Sequence, residues 1–360
     1  MAQIDAFFKL MNEQGASDLH MISGQQPVLR IRGDMERVKY NTLNSEELKA
    51  MLYEIIPDDK IKKFEETGDL DFGYEIAGLA RYRGNLFMQK YGIGAVFREI
   101  PNNILTVQQL GLPKVISTLA ALPKGMVLVT GPTGSGKSTT LAAIIDEVNR
   151  SRKHHILTIE DPIEFVHRSQ NCIVNHREIG AHTMSFAAAL RGALREDPDV
   201  ILVGELRDLE TIALAMEASM TGHLVFGTLH TLNAAKTVDR IIEIFPAEQQ
   251  SQVRSTLADA LKAVISQTLF KRVDVKGRCA ALEILLCTPA VRNLIREGKT
   301  YQIPSSMQTG KKFGMQTMDD GILDLLNKKM ISPESAYIHC TEKSNFVKYL
   351  KKPPSDFTDF

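Results

Sequence analysis

Residues 131–139 read GPTGSGKST and fill the pattern G-x-x-x-x-G-K-[ST] of a phosphate-binding loop. The residues before it, 126–130, form a short apolar and β-branched run that predicts a buried strand. The residues after it, 139–145, predict a helix. Strand, glycine-rich loop and helix is the order in which such loops occur, so the context favours a site for a nucleoside triphosphate.

Each residue type in this loop has a separate physical task. Glycines let the backbone fold tightly and aim successive N–H groups at phosphate oxygens, and the positive end of the following helix adds to the attraction. The Lys137 ammonium is able to reach the β- and γ-phosphates, and the Ser138 hydroxyl suits Mg²⁺. The residues predicted to hold nucleotide are Gly131, Thr133, Gly134, Ser135, Gly136, Lys137, Ser138 and Thr139.

Composition argues against several other classes of protein. The chain has 360 residues, enough for two or three domains, and a formal net charge of zero. Dedicated nucleic-acid binders usually have a strong basic excess, so we expect no nucleic-acid partner. No segment approaches the ~20 apolar residues of a membrane span, and the N-terminus does not resemble a signal peptide. The four cysteines lack a C-x-x-C pair, which predicts reduced thiols and no zinc.

The first hundred residues predict a small α+β domain. Apolar residues spaced i, i+3, i+4, i+7 from Ile4 to Met11 predict an amphipathic helix that ends near Gly15. Residues 45–56 predict a second helix. Short alternating segments predict the strands of an antiparallel sheet, at 27–33, 69–74, 81–88 and 95–100.

The remainder of the chain predicts an α/β domain after a linker. Proline, asparagine and glycine interrupt the pattern over residues 101–113, which we interpret as a hinge. Strands and helices then alternate over 114–270 and predict a mostly parallel sheet. Residues 271–350 predict short helices, one of them beginning after Thr288 and ending near Gly298, and 351–360 a flexible tail.

Acidic residues and a histidine follow the later predicted strands, where ligands of parallel sheets bind. The segment TIEDPIEF, residues 158–165, includes Glu164, and a carboxylate there can orient or deprotonate an attacking water. The run 200–205 ends in Glu205, preceded by Gly204 where a Walker B strand usually has Asp. Glu205 is suited either to Mg²⁺, in part through water, or to the water nucleophile. His230 follows a further strand and can donate a hydrogen bond to a γ-phosphate.

Four segments in order, GPTGSGKST, TIEDPIEF, DVILVGELRD and TGHLVFGTLHT, resemble the Walker A, Asp, Walker B and His boxes of the secretion-ATPase superfamily of type II and type IV machines. The segment ASDLH at 16–20 also resembles this superfamily. A further segment resembles a motif of its pilus-retraction members, with Val291 in place of Ile, and comprises Ala290, Val291, Arg292, Asn293, Leu294, Ile295 and Arg296. Within it the arginines are expected on one helix face and the apolar residues on another.

The resemblance implies roles for individual residues. Glu164 is implied as the catalytic base, Glu205 as the Mg²⁺-associated acid and His230 as a sensor of the γ-phosphate. Arg83 and Arg98 best match the arginines that close over the phosphates, with Arg81 as a competitor for that role.

The resemblance also implies an architecture and a function. The fold is expected to be α/β: a PAS-like N-terminal domain, a RecA-like P-loop domain and C-terminal helices, assembled as a homo-hexamer. The expected activity is ATP hydrolysis with Mg²⁺ that powers type IV pilus retraction and twitching motility. Such a motor lies at the cytoplasmic face of the inner membrane, acts on a platform protein and dislodges pilin subunits from the fibre.

Three alternatives remain open at this point. The first is an assembly motor of the same superfamily for pilus extension or secretion, although such relatives generally have a longer N-terminal region and a tetracysteine zinc insertion. The second is a P-loop DNA translocase or helicase, which the zero net charge disfavours. The third is a scaffold that binds nucleotide without hydrolysing it.

Overall fold

The computed structural model describes residues 2–31, 33–100 and 104–350. The chain divides into two compact units, Met1–Asn103 with Pro162–Val166 and Ile104–Asp161 with His167–Phe360. The first three residues of the predicted linker 101–113, and the predicted tail 351–360, lie outside the described residues.

The first unit contains a six-stranded sheet in the order β3-β2-β1-β6-β5-β4. Every neighbouring pair is antiparallel. The predicted antiparallel sheet is therefore confirmed. Its helices and strands are α1 (Asp5–Gln14), β1 (Asp18–Ile22), β2 (Val28–Ile31), β3 (Asp34–Arg37), α2 (Ser45–Tyr53), α3 (Asp58–Thr67), β4 (Asp69–Ile76), β5 (Ala80–Gln89) and β6 (Gly92–Ile100).

Helix α1 buries the apolar residues whose helical spacing predicted it. Phe7, Phe8 and Met11 are buried along one side of the helix and pack in the core of the first unit. The helix ends at Gly15, whose φ of 61° lies in the left-handed region that glycine adopts without strain. The predicted N-terminal helix is confirmed.

The second unit contains a seven-stranded sheet in the order β13-β12-β7-β11-β10-β8-β9. All neighbouring pairs are parallel except β12 with β13. Its helices and strands are α4 (Lys114–Ala120), β7 (Gly125–Thr130), α5 (Lys137–Ser151), β8 (His155–Glu160), β9 (Ile173–Glu178), α6 (Phe186–Ala193), β10 (Val200–Val203), α7 (Leu209–Met220), β11 (Leu224–Leu229), α8 (Ala234–Glu243), α9 (Gln250–Ala260), β12 (Leu261–Lys271), β13 (Arg278–Leu286), α10 (Pro289–Arg296), α11 (Ile303–Thr309), α12 (Met318–Asn327) and α13 (Pro333–His339).

The central strands of this sheet are buried on both faces. Every residue of β7, β10 and β11 is buried. Two apolar clusters cover the sheet, one including Leu190 and Ile212, the other Leu141 and Ile145. Parallel strands covered by helices on both sides have nearly continuous apolar sequences, which is why 126–130 was recognisable as a strand.

The prediction of short helices alone after residue 270 was wrong in one respect. Strand β13 follows β12 and pairs with it antiparallel from Arg278 to Leu286, so the sheet extends beyond the predicted boundary. A short apolar run such as 279–286 has no periodicity that separates a strand from a buried helix. Antiparallel pairing with β12, the strand that precedes it in the chain, makes this run a strand and not a helix.

No helix among the described residues is long and apolar enough to cross a membrane.

Candidate nucleotide-binding site

The glycine-rich loop connects the end of β7 to the start of α5. Gly131 and Gly136 have φ values of 140° and 88°, which other residues rarely adopt. A Cβ atom at Gly131 would lie 2.4 Å from the carbonyl oxygen of Gln267, and one at Gly136 would lie 2.8 Å from the Gln267 side-chain nitrogen. The loop therefore needs glycine at both positions, for conformation and for space.

The functional groups of the loop lie at the N-terminus of α5. Gly136 is the N-cap residue and has no side chain to cap the helix, so the N–H groups of the first turn are suited to an anion. Lys137 Nζ donates to the carbonyl oxygens of Gly131 and Pro132 at 2.9 and 3.1 Å, which folds the lysine back over the loop. The residues of the loop differ in exposure: Thr133 and Gly134 are exposed, Ser138 and Thr139 half-buried, and Ser135 buried.

Glu205 and His230 come together because β10 and β11 are parallel neighbours. His230 Nε2 lies 3.3 Å from Glu205 Oε1, and an Arg207 guanidinium nitrogen lies 2.7 Å from Glu205 Oε2. Partial burial would raise the pKa of the Glu205 carboxyl, but hydrogen bonds and charge from Arg207 and His230 outweigh it and hold this pKa below its usual range. Glu205 is thus an ionised carboxylate near neutral pH.

Gly204 has a steric explanation in the packing of neighbouring strands. Its N–H donates to the carbonyl oxygen of Ile159 at 2.8 Å. A Cβ atom at Gly204 would lie 3.3 Å from both that oxygen and the Cα atom of Glu160. The close approach of the β8 backbone leaves little room for the aspartate that Walker B strands usually have here.

The acidic segment after β8 is divided between the two units. Glu160, the last residue of β8, is buried in the second unit, whereas Glu164 lies in the segment Pro162–Val166 that packs with the first unit. The chain re-enters the second unit at His167, whose backbone N–H donates to His176 Nε2 at 3.1 Å. Burial, with the nearby His176, lowers the pKa of His167 to about 3.

Arg83 and Arg98 are directly opposite one another on the paired strands β5 and β6. Asp18, which is buried, accepts a hydrogen bond from Arg98 Nε at 2.7 Å and orients that arginine. The Arg98 side chain nevertheless remains 71% exposed, and that of Arg83 45%. Arg81 lies on the same side of β5 as Arg83 but its side chain is only 17% exposed. The two arginines named from sequence are thus adjacent and more accessible than Arg81.

The segment 290–296 forms α10, as the sequence predicts, with Thr288 as N-cap and a proline in the first turn. Val291 and Ile295 are buried, and Leu294 packs against the same core. Arg292 Nε donates to the carbonyl oxygen of Cys287 at 3.0 Å. Arg296 pairs with Asp259 on α9. The arginines therefore lie away from the apolar face of the helix.

Three contributors to this geometry were missed by sequence reasoning: Arg207 beside Glu205, Gln267 behind the loop, and Asp18, which binds Arg98. Gln267 belongs to no motif, and only the pairing of β12 with β7 brings it to the loop. Asp18 lies in the segment 16–20, which resembles the superfamily. That resemblance marked the segment as noteworthy, but it assigned no role to Asp18.

The glycine-rich phosphate loop lies between the parallel strand β7 and helix α5, and an ionised carboxylate follows β10, which β11 separates from β7 in the sheet. This arrangement is that of a RecA-like P-loop ATPase. Comparison with known families specifies the group further. The chain belongs to the family described as Type II/IV secretion system protein, whose model matches residues 90–309.

Several relatives are similar over most of their length. The chain is 54% identical over 334 residues to the type IV pilus retractation ATPase PilT of Pseudomonas aeruginosa, covering 93% of this chain and 97% of that one. It is 53% identical over 310 residues to a twitching motility protein of Neisseria gonorrhoeae, covering 86% and 83%. A crystal structure of the pilus retraction motor PilT with bound ADP has a TM-score of 0.89 and 43% identity, covering 96% and 98%.

Proposed function

We propose that this chain is the motor that retracts type IV pili, acting as a homo-hexamer that hydrolyses ATP. The phosphate loop with the Glu205–His230 pair beside it is the observation that carries the ATPase activity. The likeness to pilus-retraction and twitching proteins over nearly the whole chain supports the cellular role.

Residues of the second unit bind the phosphates in this proposal. Main-chain N–H groups of the loop and the Lys137 ammonium bind the triphosphate. The Ser138 hydroxyl and the Glu205 carboxylate would hold Mg²⁺, Glu205 in part through water, and the bound ion would supply neutralisation of the phosphate charge. His230 is held by Glu205 and donates to the γ-phosphate, so its position depends on the state of the nucleotide.

Three further residues have the remaining catalytic roles in this proposal. Glu164 acts as the base that orients and deprotonates the attacking water. Arg83 and Arg98 stabilise the charge that develops on the transferred phosphoryl group, as arginine fingers do. The exposure of both guanidinium groups and their adjacent positions support this assignment. We further propose that 101–113 is the hinge between a PAS-like domain, 1–100, and the ATPase core.

Motor output passes through α10 in this proposal. The motor lies at the cytoplasmic face of the inner membrane and acts on a platform protein, which releases pilin subunits from the base of the fibre. The exposed residue Ala290 and the half-buried Leu294 line a surface groove with Gln302 and Ser306, away from the phosphate loop in sequence. A variant there is expected to separate ATP hydrolysis from retraction.

The cellular role is tested by deleting the gene and imaging labelled pili. We expect pili that extend but do not shorten, and recovery of shortening with the wild-type gene but not with Lys137→Ala. Loss of surface pili in the deletion strain would instead identify an assembly motor. Twitching zones on agar give a second measure of the same activity.

The role of α10 is tested with Ala290→Glu. Ala290 lies in the first turn of α10, where a negative charge is compatible with the helix dipole. We expect normal ATP turnover and normal thermal stability, but no retraction. Retraction at the wild-type rate would reject α10 as the coupling surface.

A further inference from the structure

Gln267 lies behind the phosphate loop because of strand pairing. Strand β12 runs parallel to β7, with Ser266 paired to Thr130 at the last residue of β7. Gln267 is therefore level with Gly131, where the loop begins. It is buried, with only 3% of its surface exposed.

Both ends of the Gln267 amide are used. Its Nε2 donates to the carbonyl oxygen of Ser135 at 2.6 Å, and its Oε1 accepts from the Thr140 hydroxyl at 2.7 Å. A flipped amide would place Oε1 against the Ser135 carbonyl oxygen, so these partners fix its orientation. One side chain thus joins the last turn of the loop to the first turn of α5.

The bond to Ser135 also determines where the loop's next N–H group points. In a trans peptide the carbonyl of residue 135 and the N–H of residue 136 point in opposite directions. Because Gln267 holds the Ser135 oxygen towards β12, the N–H of Gly136 is aimed away from β12. N–H groups oriented in this way are the groups with which such loops bind phosphate.

We infer that Gln267 is a positioning residue that holds the phosphate loop in its binding conformation and so sets the affinity for the nucleotide phosphates. It does so by bonding the Ser135 carbonyl and the Thr140 hydroxyl at once. This inference rests on the proposed nucleotide role of the loop. The part of the nucleotide whose binding Gln267 affects is the polyphosphate, whichever base the nucleotide has.

The test is Gln267→Met in the full chain, since methionine has similar length and lacks both hydrogen-bonding groups. Loss of the buried bond to the loop is expected to weaken ADP binding, measured by calorimetry, about tenfold. Because the loop holds phosphates in both the ground and transition states, KM for ATP should rise with little change in kcat. Partial unfolding would instead lower kcat at constant KM.

Two comparison variants keep the result interpretable. Ser266→Ala removes the neighbouring buried hydrogen bond to Thr130, 2.9 Å long, without touching the loop, and is expected to reduce thermal stability with KM unchanged. Lys137→Ala tests the site itself. If Lys137→Ala abolishes ADP binding but Gln267→Met binds like wild type, the inference about Gln267 is wrong. If Lys137→Ala also binds normally, the proposed site is wrong.

Discussion

His230 Nε2 lies 3.3 Å from Glu205 Oε1, so the side chains that follow β11 and β10 interact directly at the carboxyl ends of these strands. Arg207 binds the other carboxylate oxygen at 2.7 Å. An ionised Glu205 held from both sides is suited to Mg²⁺, and His230 is oriented by the same carboxylate. The two residues are therefore expected to depend on each other during catalysis.

Glu205→Gln should lower kcat by about 100-fold while ADP still binds. The variant removes the negative charge of the carboxylate that is proposed to hold Mg²⁺ during hydrolysis. His230→Ala should lower kcat less. The double variant should be no slower than Glu205→Gln alone, since groups that act together are not additive in a double-mutant cycle. Steady-state ATPase assays measure all three, with Glu210→Gln on the surface of α7 as the matched control. Strictly additive losses would show that the two residues act independently.

Arg98→Ala and Arg83→Ala should each lower kcat by about 10³-fold, the low end of the range for arginine fingers, without weakening ADP binding. Asp18→Asn should have a smaller effect in the same direction, because it loosens the hydrogen bond that orients Arg98. Arg37→Ala, on the exposed strand β3, is the control. If Arg81→Ala alone abolished turnover, the less exposed arginine would be the functional one.

Gly204→Ala should destabilise the protein by about 1–3 kcal/mol, because the new methyl group would press on the backbone of β8. Gly204→Asp should be at least as harmful, although it restores the residue usual in Walker B strands. Urea denaturation measures both. An aspartate variant as stable as wild type, with faster turnover, would contradict the steric explanation of Gly204.

His167 should make the protein less stable in acid. Its pKa is about 3 in the folded protein, against an ordinary value near 6.5, so between these values the unfolded chain binds a proton that the folded chain does not. The free energy of unfolding is therefore unaffected by His167 protonation above about pH 6.5, and it decreases as the pH falls below that value. His167→Gln should remove about 2 kcal/mol of the difference in unfolding free energy between pH 7 and pH 5.

Urea denaturation at the two pH values measures the effect, and His339→Gln, an exposed histidine on α13, is the control. The bond from the backbone N–H of residue 167 to His176 should survive the substitution. An unchanged pH dependence in His167→Gln would mean that another group accounts for it.

Local patterns were sufficient for much of this protein. The strand before the phosphate loop, the loop itself and the amphipathic helix α1 were recognisable because each is encoded in neighbouring residues. The adjacency of Arg83 and Arg98 could be predicted only in part. Alternating apolar and polar residues indicate both strands, but the register that pairs β5 with β6 cannot be derived from either strand alone. Strand β13 was missed for the related reason that an apolar run has no period of its own.

The sequence by itself determined which chemical groups the protein has for phosphate, from Gly131 to Ser138, because a tight loop needs particular residues at fixed spacing. Only the tertiary structure decided what holds these groups, and the Arg98 side chain, in place. Gln267 reaches Ser135 across 132 positions of sequence, and Asp18 reaches Arg98 across 80. Such contacts depend on strand order and register, which arise from the packing of the whole sheet and cannot be derived from either sequence segment alone.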